Sequence, residues 1–123
     1  MVLPESTADF NDGTTQAFLT DSGVFTVQDG TLSATAASTS GDVVAVWYHD
    51  EYLPIYFEIH AQVHFTKPTG GWKANAYVIF DYFGPTDFKF AGVDQSTNKI
   101  VMGRRTAAGW TVDVQGVVQV SVK

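Results

Sequence analysis

The stretch Tyr56-Phe57-Glu58-Ile59-His60-Ala61-Gln62-Val63-His64-Phe65 decides how this chain is read. Phe57, Ile59, Ala61, Val63 and Phe65 alternate with Tyr56, Glu58, His60, Gln62 and His64. Successive side chains of an extended strand point to opposite faces. The stretch therefore predicts a strand with one apolar face and one polar, partly aromatic face. The polar face is either a solvated back or the floor of a ligand groove, and the sequence leaves both open.

The same alternation recurs on either side. Ala8-Asp9-Phe10 precedes the turn-rich Asn11-Asp12-Gly13-Thr14-Thr15. Val24-Phe25-Thr26-Val27 runs into Gln28-Asp29-Gly30-Thr31-Leu32, and Asp-Gly between alternating runs signals a hairpin because both residues tolerate positive φ. Asp42 to Tyr48 gives a further strand, and Thr66-Lys67-Pro68-Thr69-Gly70-Gly71 is a loop of breakers. A long strand is expected from Trp72 to Phe83, then strands over Phe88–Val93, Ile100–Arg105, Trp110–Val114 and Val117–Val122, with turns at Gly84–Asp87 and Asp94–Lys99. No window carries a helical stripe. The expected architecture is all-β, an antiparallel β-sandwich formed as one domain over residues 1–123.

Composition narrows the function classes. With 45% hydrophobic and 14% aromatic residues, the chain has the material for a core without covalent staples. The absence of cysteine removes disulfides, thiolate metal sites and cysteine nucleophiles, but leaves the compartment open. A formal charge of −6, with basic residues scattered except at Arg104-Arg105, excludes the clustered basic field that nucleic acid binding needs. No apolar run approaches the ~20 residues of a membrane-spanning helix, and no signal peptide is visible. Met1-Val2-Leu3-Pro4 reads as a start cut into a longer protein. Ten of the 13 acidic residues are Asp, a bias that suits both turns and oxygen-ligand sites for calcium.

Asp9-Phe10, Phe18 and Ser22-Gly23-Val24-Phe25-Thr26-Val27-Gln28-Asp29-Gly30-Thr31-Leu32 resemble the opening of concanavalin A-like (laminin-G-like) jelly-roll domains. Phe57-Glu58-Ile59, Asn75 to Tyr82, Phe90 to Asp94 and Met102-Gly103-Arg104-Arg105…Trp110 extend the resemblance over nearly the whole chain. The pattern is similar to repeat modules of large extracellular and cell-surface bacterial proteins. The motifs build strands and turns, so they bear on fold more than on function. The resemblance implies lectin-like glycan binding, adhesion or spacing, often with a structural calcium ion. It also implies strands beyond Trp110–Val114 that this chain does not supply. The fold is then a reduced variant, or the missing strands come from a complementary chain, or a homodimer forms through swapped or paired strand edges, and the last two together are the expectation.

Candidate sites follow from side-chain chemistry. Glycoside hydrolysis needs two carboxyl groups flanking the bond, and the polar face of the opening strand offers only Glu58. His60 and His64, four apart on a strand, would lie about 13 Å apart, too far to share one ion. No Gly-x-Ser-x-Gly turn marks a serine hydrolase. The chain is expected not to be an enzyme. Asp9, Asn11 and Asp12, ahead of Gly13, offer oxygen ligands for Ca2+, and the alternative is an Asx turn. For a glycan, the candidates are His60, Gln62, Trp72, Tyr77 and Arg104, because sugars are held by aromatic faces and forked polar groups in a concave site. Two function classes remain: a carbohydrate-binding or adhesion module, and a structural module that assembles without binding glycan.

Overall fold

The computed structural model describes residues 6–49, 56–66 and 69–117. Every helix or strand among them is a strand, and every strand pair is antiparallel. The chain divides into two compact units, Met1–Pro54 and Ile55–Lys123.

The first unit contains β1 (Leu19–Ser22), β2 (Val24–Gln28), β3 (Thr31–Thr35) and β4 (Val44–Val46). β2 and β3 form the hairpin expected at Asp29-Gly30, whose φ values of 52° and 69° are the left-handed pair such a two-residue turn requires. β1 pairs with β4, where Val44 and Val46 are buried. Phe18 joins them through aromatic contacts to Phe10 and Trp47, with ring centroids 5.9 and 5.7 Å apart. β1 is a strand the sequence did not announce. Ala8-Asp9-Phe10, by contrast, forms no strand.

The second unit is a four-stranded meander of β5 (Asn75–Gly84), β6 (Asp87–Asp94), β7 (Lys99–Thr106) and β8 (Gly109–Val117), in that spatial order. Its turns fall at the expected positions. The loop after β6 is tied to the entry of β5: the Ala74 carbonyl accepts the N–H groups of Gln95 and Ser96, and the Ala74 N–H donates to Ser96 Oγ at 2.8 Å. β5 starts three residues later than Trp72, because Gly70 and Gly71 turn the chain with φ of 37° and 82° and the Trp72 N–H closes that turn on Thr69. Val118 to Val122 lie outside the described residues.

Register separates the two faces of this sheet. Tyr77, Gly92 and Val101 lie in one row, Ile79, Phe90, Gly103 and Val112 in the next, and Phe88, Arg105 and Trp110 in a third. Residues directly opposite share a face, so these rows form an aromatic face. Trp110 packs against Phe90 at 5.0 Å, Phe88 at 5.4 Å and Tyr77 at 6.0 Å. Phe88 and Phe90 are almost completely buried. The indole reaches β6 from β8 by crossing β7 at Gly103, where a Cβ would lie 3.0 Å from Phe90 Cζ and overlap the Thr111 carbonyl oxygen.

One expectation is corrected here. Residues 56–66, the sequence's best strand, lie in no strand. Alternation assigns side chains to faces, but a strand also needs a neighbour to pair its N–H and C=O groups. The described residues provide no such neighbour for this stretch.

Because Gly103 is the crossing point, Gly103→Ala is expected to destabilise the protein by about 1–3 kcal/mol, the usual cost of overpacking. Urea unfolding measures this, and an unchanged midpoint would contradict the crossing geometry.

Candidate functional site

The opposite face of the meander is aliphatic. Val78, Ala91, Met102 and Val114 form one continuous row across all four strands, and Ala76, Val93, Ile100 and Gly116 form the next. Over β5 and β6, Phe57 and Ile59 line an open apolar depression of about 430 Å³ together with Val78, Phe80, Ala91 and Gly92. Over β7 and β8 the face lies open: Ile100, Met102 and Val114 are 51%, 50% and 65% exposed. The apolar members of the 56–66 stretch are also solvated, with Phe57 at 47%, Ile59 at 52% and Val63 at 49%.

The polar members of that stretch form their own cluster. Glu58 accepts a hydrogen bond from the Tyr56 hydroxyl through Oε1 and pairs through Oε2 with His60 Nε2 at 2.9 Å. Contacts between positions two apart show that this side of the stretch is extended, as the alternation predicts. The Tyr56 bond, then the His60 bond, hold the Glu58 carboxyl below its ordinary value, and the same bond to Glu58 pushes the Tyr56 hydroxyl up. Gln62 and His64 are exposed.

The five glycan candidates do not converge on one groove. Tyr77 lies half-buried on the aromatic face against Phe90, and burial, then the charge of Asp94, push its hydroxyl up. Arg104 lies on the aliphatic face, where its guanidinium meets Asp113 at 3.6 Å. A single concave face therefore cannot present both. Trp72 stands at the end of a turn, 40% exposed, and His60 and Gln62 belong to the unpaired stretch. The feature that sequence reasoning missed is the aliphatic row. Its signal was present in Val78, Ala91, Met102 and Val114, but strand registers were needed to align them.

At the N-terminal loop, Asp9 Oδ1 accepts the Asn11 N–H at 3.0 Å and the Gln16 amide at 3.2 Å. Asp12 Oδ1 accepts the N–H and hydroxyl of Thr14 at 2.9 and 2.8 Å. These are Asx turns. The backbone bond from Asn11, then the bond from Gln16, lower the Asp9 carboxyl, and the two bonds from Thr14 lower Asp12. The donors are hard oxygens of the kind calcium takes. Among the described residues, no three or more His, Asp or Glu gather into a metal cluster.

Comparison with known proteins gives no match: no family model, no curated protein and no solved structure matches the chain.

The lowered carboxyl values have a pH consequence. A carboxyl that ionises more readily in the fold than in the unfolded chain contributes stability above its ordinary value of 3.8. That contribution is lost as pH falls through the lowered folded value. Asp12→Ala is therefore expected to lower the melting temperature at neutral pH and to flatten its acid-side decline. An acid limb of unchanged steepness in the variant would contradict the turn assignment.

Proposed function

We propose that this chain is a non-catalytic β-module that works by assembling with a second copy of itself, as part of an extracellular or cell-surface bacterial protein. The observation that carries this reading is the aliphatic face of β5–β8, whose apolar rows stay open to water beside the equally open Phe57, Ile59 and Val63. Contiguous apolar surface of this kind marks an interaction site in soluble proteins. The concanavalin A-like sandwich class and the bacterial surface setting rest on the resemblance of the strand and turn motifs alone.

Glycan recognition has weaker support, because register sets Tyr77 and Arg104 on opposite faces of the sheet. Calcium enters the reading as a stabiliser of the Asp9–Gly13 loop, supported by the chemistry of its donors. Calcium would then raise the melting temperature, with the shift lost in Asp12→Ala, and identical melts in calcium and in chelator remove it.

Sedimentation velocity over a range of concentrations tests assembly. A reversible dimer that binds an apolar dye less as it forms is the expected result. A cooperatively melting monomer at every concentration would contradict it. A glycan panel separates the other class: specific binding lost in both Arg104→Ala and Trp72→Ala would replace assembly with recognition.

A further inference from the structure

The unpaired stretch reads alike in both directions. Phe57, Ile59, Ala61, Val63 and Phe65 are symmetric about Ala61 in size and polarity, and the residues between them are Glu58, His60, Gln62 and His64. Laid antiparallel against a second copy with Ala61 opposite Ala61, Phe57 meets Phe65 and Ile59 meets Val63. On the other face Glu58 meets His64, and His60 meets Gln62. We infer that residues 57–65 form the seam of a two-fold dimer by pairing as an antiparallel strand with the same residues of a second copy. The inference rests on the assembly reading above and names its interface.

Three observations support this seam over others. First, the stretch has strand alternation and one extended polar side, yet joins no sheet, and Phe57, Ile59 and Val63 are about half exposed. Second, charge and the length of stretch paired together select one register. Centring on His60 sets His60 against itself, and centring on Gln62 sets His60 against His64. Registers offset by an odd number of residues set apolar against polar side chains, which a strand pair with one buried face excludes. Centring on Ile59 also sets Glu58 against His60, but it pairs only residues 57–61 of the stretch, whereas centring on Ala61 sets Glu58 against His64 on both sides of the axis and pairs the whole stretch. Centring on Ala61 also puts the smallest side chain of the stretch on the axis, the one position whose residue meets its own copy.

Third, the edges of the meander are guarded. β8 carries Asp113 at its midpoint, beside a register shift, so two β8 strands paired about their centres would bring two Asp113 carboxylates together. β5 is interrupted by a bulge at Asp81, whose φ is 48°. The stretch 57–65 has neither device. Its carboxylate, Glu58, is already held on the polar side by Tyr56 and His60, the side on which His64 of the second copy arrives.

Because the chain has no cysteine, disulfide trapping reads the register directly. Opposed Cα atoms of an antiparallel pair lie about 4.5–5.5 Å apart, within disulfide reach. Ala61→Cys is expected to cross-link to itself under mild oxidation. Ile59→Cys alone is not, since its copies lie about 13 Å apart along the strands, but mixed with Val63→Cys it should give the cross-linked heterodimer. Glu58→Lys should raise the dimer dissociation constant about tenfold, two cross-strand pairs being lost per dimer, and adding His64→Glu should restore it. Association without preferential cross-linking at position 61, or a dissociation constant indifferent to Glu58→Lys, overturns the seam and leaves the assembly reading standing. A chain that stays monomeric overturns both.

Discussion

The contact of the Trp110 indole with Phe90 and Phe88 across β7 is the interaction on which the second unit depends. Among the described residues β8 is an edge strand, exposed along almost its whole length, and its backbone ladder and side-chain contacts to β7, such as Arg104 with Asp113 and Lys99 with Gln115, reach only that neighbour. The indole ties it to β6 as well. The crossing is open only because position 103 lacks a side chain, and Gly92 gives Tyr77 the same freedom on the neighbouring row. On the aromatic face the two buried rings pack against rings of their own sheet, Phe90 against Tyr77 and Trp110 and Phe88 against Tyr82 and Trp110.

That arrangement fixes where the unmet demand for burial lies. The reverse of the same strands carries Val78, Ala91, Met102 and Val114 in one row, and the rings of Phe57 and Phe80 line the depression over its β5–β6 part. The 57–59 stretch shields only the β5–β6 side, and the β7–β8 side remains wet. Water contact with aliphatic surface costs about 25 cal/mol per Å2, so covering this face favours association. The ion pairs at the surface, Lys89 with Asp81 and Arg104 with Asp113, are well exposed and add little to stability. Apolar cover, more than charge, drives the assembly proposed here, and charge together with the length of stretch paired selects its register.

Much of the fold was legible in the sequence because its signals are local. Asp29-Gly30 sets its hairpin through two left-handed residues, and the turns after Phe83, Val93 and Arg105 fall where their residues demand. The site was less legible because it depends on registers between strands. Alternation shows that Tyr77 and Ile79 share a face, but not that Arg104 lies on the opposite one. That follows only after β5, β6 and β7 are aligned. Likewise, the pattern in Tyr56–Phe65 specified the faces of a strand without specifying its partner. A sequence that is a strand by every local rule and finds no neighbour among the described residues of its own chain carries the proposal of pairing between chains.

Amide hydrogen exchange across residues 57–65, followed as a function of protein concentration, tests that claim most directly. In an antiparallel seam, every second N–H points to the partner strand. Slow exchange at alternate amides, appearing with the dimer and vanishing on dilution, is the expected result. Fast exchange at every amide of the stretch, at concentrations where the chain is associated, would contradict it.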